Sequence, residues 1–94
     1  MKSYKITIGN GGSLGFFLNK TADDIRCYTI TGIHKSQINA YPEDVIGSYL
    51  LFINGHSVFD KDKEFIRKII KLKNTCVFYY SNDKSEILKI QKSF

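Results

Sequence analysis

The stretch Tyr49-Leu50-Leu51-Phe52-Ile53-Asn54-Gly55-His56-Ser57-Val58 decides how the chain is read. Its first five residues are an unbroken apolar run, the pattern of a strand covered on both faces. Asn54-Gly55 follows at once, the strongest short signal for a hairpin, so the strand turns back and Val58 fits a very short return strand. Just downstream the period changes. Asp62 supplies an N-cap, and Phe65, Ile66, Ile69, Ile70 and Leu72 recur at helical spacing, which predicts a helix over Asp62 to Lys73. At about 100° per residue those five cover roughly 160° of the helix, and Lys63, Arg67 and Lys71 lie just beyond the edge that Ile70 marks.

Working outward, Thr75 to Tyr80 is a further strand and Ser81-Asn82-Asp83 a turn. Lys84 to Phe94 stays open: Ile87, Ile90 and Phe94 suit a helix, whereas Leu88 and Ile90 suit a strand. Toward the N-terminus, Tyr4, Ile6 and Ile8 alternate with Lys5 and Thr7 as in a half-buried strand, and Gly9-Asn10-Gly11-Gly12-Ser13 breaks it as a loop. Phe16-Phe17-Leu18 is a short second strand, Asn19 to Arg26 reads as an exposed connection, and Tyr28-Thr29-Ile30-Thr31 is a third strand. Ser36 to Ala40 suits a short helix that Pro42 ends. Five or six short strands with two helices, in 94 residues, predict a single α+β domain, mainly β, as a small partly open barrel or sandwich.

Composition narrows the function. The chain is 43% hydrophobic with 13 Phe and Tyr, enough for a core, and no apolar run approaches the ~18 residues of a membrane span. The expected location is cytoplasmic. Cys27 and Cys76 have no Cys-x-x-Cys spacing and no His beside them, so they read as small buried hydrophobes, with no metal site and no cofactor. The net charge of +5 comes from the last third, because residues 1–60 balance while residues 61–94 hold nine basic and four acidic residues. Twelve of the fourteen cations are Lys, which disfavours nucleic acid and its Arg-rich readout.

Catalytic patterns are missing. His34 and His56 flank turns without triad or ligand spacing, and Ser13-Leu14-Gly15 is not a nucleophile elbow. Gly9 to Gly15 lacks the Gly-Lys-Ser/Thr ending of a phosphate loop, and the adjacent pairs Asp23-Asp24 and Glu43-Asp44 suit turns better than acid–base work. An enzyme is not expected. Ser13-Leu14-Gly15-Phe16-Phe17-Leu18 carries more: a glycine where a Gly-rich loop enters a strand lets consecutive N–H groups converge as a nest for an anion such as a carboxylate. A strand entry without any ligand explains the same residues.

Ser13-Leu14-Gly15-Phe16 resembles the carboxylate-binding loop of the PDZ family, usually Gly-Leu-Gly-Phe. Ile46-Gly47-Ser48-Tyr49-Leu50-Leu51-Phe52-Ile53-Asn54-Gly55 is similar to that family's Val-Gly-Asp-x-Ile-Leu-x-Val-Asn-Gly, and the likeness continues without a gap through Ser57-Val58 to Ile69-Ile70-Lys71 and the strand Thr75–Tyr80. The resemblance covers roughly residues 3–81 and implies a peptide-binding domain over residues 1–81, with 82–94 as a C-terminal extension. Ser13 departs from the usual first glycine, and Asn10-Gly11-Gly12 has none of the cations that many members place there.

The resemblance implies an adaptor module that binds the C-terminal tail of a partner, or an internal extended motif, by β-strand addition between the second strand and the second helix. The N–H groups of Leu14, Gly15 and Phe16 would cradle the carboxylate. Leu14, Phe16, Leu18 and Ile70 would take a bulky apolar last side chain, with Phe17 on the opposite strand face. Lys63 and Arg67 would read the third-from-last side chain, favouring an acidic one; a register shifted by one would place Asp62 and Ile66 there instead. An alternative function is membrane-peripheral binding to anionic lipid through Lys61, Lys63, Arg67, Lys68, Lys71 and Lys73. A further expectation is self-association, with Phe94 entering the groove of a neighbouring copy.

Overall fold

In the computed structural model, which describes residues 1–8, 12–20 and 24–94, the chain runs β1 (Lys2–Thr7), β2 (Phe16–Lys20), β3 (Tyr28–Ile33), β4 (Tyr49–Ile53), β5 (His56–Ser57), α1 (Lys63–Lys71), β6 (Thr75–Ser81) and α2 (Lys84–Gln91). The expected loop at Gly9, Asn10 and Gly11, and the part of the expected connection at residues 21–23 that includes Asp23, lie outside the described residues. The strands form one antiparallel sheet in the order β1-β6-β4-β3-β2, with β5 paired to β4. It does not close into a barrel: β1 and β2 each have one partner and end the sheet. The architecture is mainly β with two helices, consistent with the PDZ-like α+β fold that the resemblance implies.

The apolar run in β4 has a local cause. The register against β6 shifts between Leu50 and Phe52, so Leu51 is an extra residue and two adjacent leucines are both fully buried. Phe52 points to the other face, where the rings of Phe59, Tyr79 and Phe94 cover it at 5.7–6.4 Å. Asn54 and Gly55 both take positive φ, 49° and 81°, as a two-residue turn with the twist of the flanking strands requires. Asn54 also prolongs the sheet: its N–H donates to the Val77 carbonyl at 2.8 Å, and its Oδ1 accepts the Val77 N–H at 2.9 Å.

The core lies between the sheet and α1, with Ile30, Leu50, Ile53, Val58 and Phe78 fully buried. α1 begins where Asp62 accepts the Phe65 N–H at 2.9 Å and turns Ile66, Ile69 and Ile70 inward. Leu72 does not join that stripe. The helix ends at Lys71, Leu72 becomes its cap residue, and its side chain is 75% exposed. Ser36 to Ala40 shrinks to a single 3-10 turn at Ile38–Ala40, with another at Glu43–Val45 after Pro42.

Lys84 to Phe94 resolves in favour of the helical alternative. Asp83 caps α2 by accepting the Ser85 and Glu86 N–H groups, and Ile87 is fully buried in the same core as the sheet. The connection after β2 is less exposed than expected. Asn19 and Lys20 belong to β2, Ile25 is buried, and Gln91 of α2 binds the segment from both sides, accepting the Arg26 N–H at 2.7 Å and donating to the Asp24 carbonyl at 2.8 Å. Phe94 stacks on Phe59, the ring centroids 5.6 Å apart, and its carbonyl accepts from the Arg26 guanidinium. Among the described residues no helix is long and apolar enough to cross a membrane.

Candidate functional site: a groove between a sheet edge and a helix

β2 ends the sheet, so the backbone edge facing away from β3 has no strand beside it among the described residues. α1 runs opposite that edge. Between them lies a groove of about 470 Å³. All nine residues expected at a peptide site border it: Ser13, Leu14, Gly15, Phe16, Phe17 and Leu18 from the loop and β2, and Lys63, Arg67 and Ile70 from α1. Asn19, Leu50 and Ile66 border it as well. Ile66 was expected there only in the alternative register that paired it with Asp62, and Leu50, from β4, was not expected at the groove.

The loop that closes one end is held from behind. Three successive carbonyls are bonded to the segment 34–41: Ser13 accepts from Gln37 Nε2 at 2.8 Å, Leu14 from the Tyr41 hydroxyl at 2.6 Å, and Gly15 from the His34 N–H at 2.7 Å. Burial pushes the Tyr41 hydroxyl above its ordinary range, which keeps it a donor. Gly15 has φ +76°, a region costly for other residues, and Gly12 approaches so closely that a Cβ there would lie 2.0 Å from the Ile8 carbonyl oxygen. With the carbonyls turned back, the N–H groups of Leu14 and Gly15 have no partner among the described residues. Gly15 pairs with His34 across the strands, so the antiparallel alternation turns the N–H and C=O of the next residue, Phe16, to the outer edge.

The side chains divide into floor and rim. Leu14 and Ile70 are buried and form floor. Phe16 is half-buried, its ring 5.0 Å from Tyr41 and 5.1 Å from Phe78, which anchors β2 to the core. Phe17 is 56% exposed on the opposite strand face, as alternation predicts, and its ring sits over Gly32 of β3. The register shift after Phe17 leaves Thr31 without a Cα partner in β2, and its hydroxyl donates to the Phe17 carbonyl at 3.1 Å.

Charge enters from α1 alone. Lys63 and Arg67 are exposed at the groove, and Arg67 lies 3.2 Å from Glu64 on the same helix. Asp62 is absorbed by the cap and does not border the groove. Lys63, Ile66, Arg67 and Ile70 therefore share the groove side, a mixture of the two registers considered for the helix. Of the other cations expected to act together, Lys61 lies over the Phe65 ring at 5.3 Å, and Lys68, Lys71 and Lys73 are exposed away from the groove.

Cys76, in β6, and Cys27, just before β3, are fully buried, and burial pushes the Cys76 thiol up to about 11. The His34 Nδ1 lies 2.7 Å from the Ser36 hydroxyl and accepts the Ser36 N–H, closing the turn that leads to Gln37. Among the described residues no group of three or more His, Cys, Asp or Glu could hold a metal ion. The sequence matches no protein-family model and no curated protein.

Proposed function

We propose that the protein is a cytoplasmic interaction module rather than an enzyme, and that it binds the C-terminal tails of partner proteins as an added strand between β2 and α1. The observation that carries this reading is the pair of N–H groups at Leu14 and Gly15 that have no partner among the described residues, at the end of a groove whose long wall is a sheet edge. A tail entering along β2 pairs with the outward N–H and C=O of Phe16, ends with its carboxylate on the loop, and sets its last side chain over Leu14, Phe16, Leu18 and Ile70. Burial of that apolar side chain contributes about 1.5–3 kcal/mol. The groove volume lies within the ordinary range of ligand sites. Lys63 stands where a side chain two residues before the tail's end passes α1, and favours an acidic one. The PDZ-like order of motifs in the sequence supports the same reading.

Fluorescence polarisation with labelled peptides of the form acidic-x-apolar, each paired with its C-terminal amide, tests this. The expected result is micromolar binding, weakened at least about tenfold by amidation because the charge-assisted bonds to the loop are lost. Lys63→Glu should reverse the preference at the third-from-last position. Binding that is indifferent to amidation would replace the C-terminal reading with an internal motif.

A further inference from the structure

Leu72 is 75% exposed, more than any other large apolar side chain among the described residues. Its backbone gives no reason for a leucine: the residue caps α1 in ordinary helical conformation, with its N–H on the Ile69 carbonyl. Lys68 and Leu72 are four residues apart and share a helix face, Lys71 lies beside them, and Lys73 follows directly. No acidic residue occurs from 65 to 82, and among the described residues Lys68, Lys71 and Lys73 form no ion pair. Lysines in a last helical turn complement the helix dipole, but that effect asks nothing of Leu72.

We propose that this end of α1 is a docking surface for an anionic lipid bilayer, with Leu72 entering the headgroup region and Lys68, Lys71 and Lys73 on the phosphates and carboxylates around it. A single apolar side chain ringed by cations on a convex helix end suits a bilayer interface, where apolar burial and anionic charge act together. It does not suit a protein partner, whose binding relies on clustered aromatic and Arg anchors. Lys63, Ile66, Arg67 and Ile70 border the groove from a different side of the helix, so the two surfaces do not overlap. The membrane proposal is thus independent of the peptide reading, and a docked molecule keeps its groove open.

Co-sedimentation of the full chain with vesicles of phosphatidylcholine, alone or with a third phosphatidylserine, tests the proposal. Binding is expected only to the mixed vesicles, and should weaken with added salt. Lys71→Glu with Lys73→Glu should reduce it at least about tenfold, and Leu72→Ser, which leaves the charge unchanged, about threefold or more. Lys63→Ala should leave it intact. All these side chains are exposed, and thermal melts monitored by circular dichroism check that each variant is folded. Equal binding to pure phosphatidylcholine, or no loss on Leu72→Ser, overturns the proposal. So does binding to soluble heparin as tight as to the mixed vesicles and equally indifferent to Leu72→Ser, which would assign the lysines to soluble polyanions.

Discussion

A methyl group at position 15 would meet the Gln37 Oε1 at 2.2 Å, on a backbone already at φ +76°. Gly15→Ala therefore strains the loop and displaces the Gln37 side chain from the Ser13 carbonyl; chemical denaturation should show a loss of roughly 1–2 kcal/mol, and the peptide's dependence on its free carboxylate should fall with it. A second effect at this scale is electrostatic. Lys2 bonds the Asp44 carboxylate and Tyr80 adds a hydrogen bond at 3.2 Å, so the Asp44 pKa is lowered in the folded state. A lowered carboxyl pKa gives stability that is present above the unfolded value and lost as pH falls through the folded one. Urea midpoints measured between pH 2 and 6 should decline below about pH 4, and Asp44→Asn should flatten part of that decline. At Cys76, burial removes the thiolate that reagents attack, so labelling by a thiol reagent at pH 8 should track global unfolding.

At the scale of elements, the candidate site depends on one segment gripping another. The Tyr41 hydroxyl is the sole donor given to the Leu14 carbonyl among the described residues, and Tyr41 is buried. Tyr41→Phe keeps the ring packed against Phe16 and Phe78 but leaves that carbonyl unbonded, at a cost of roughly 1–3 kcal/mol in denaturant unfolding. Peptide affinity should fall further than a stability change alone accounts for, because the loop's N–H groups lose their aim; equal affinity in the folded variant would argue against the tie. Asp62→Ala removes the cap of α1 and should cost about 1 kcal/mol, read in the same way.

For the molecule as a whole, α2 is built into the core. Ile87 is fully buried, and Gln91 bonds both Arg26 and Asp24, far away in sequence. Ile87→Ala should therefore destabilise the entire fold by about 2–5 kcal/mol. Its denaturant transition should remain single, with fluorescence and circular dichroism coinciding, since sheet and helix share one core. A separate early transition confined to helical signal would show instead that α2 unfolds on its own.

The residues themselves determined what depends on near neighbours. Alternation gave β1 and the outward Phe17, Asn54-Gly55 gave the hairpin, and the Asp62 cap gave the start of α1, because period, turn chemistry and capping act within a few residues. The expectation of a groove beside Ser13-Leu14-Gly15-Phe16 and Lys63 came instead from the resemblance of the ordered motifs. Where those cues were balanced, tertiary contact decided. Of Lys84 to Phe94, Lys84–Gln91 became a helix because Ile87 finds the core, and the bulge at Leu51 faces two adjacent leucines inward. Leu72 has helical spacing, yet the helix stops one residue short of it. Gln37 and Tyr41 carried no local signal at all, since each bonds a carbonyl more than twenty residues earlier, a pairing that exists only once the sheet has brought the two segments together.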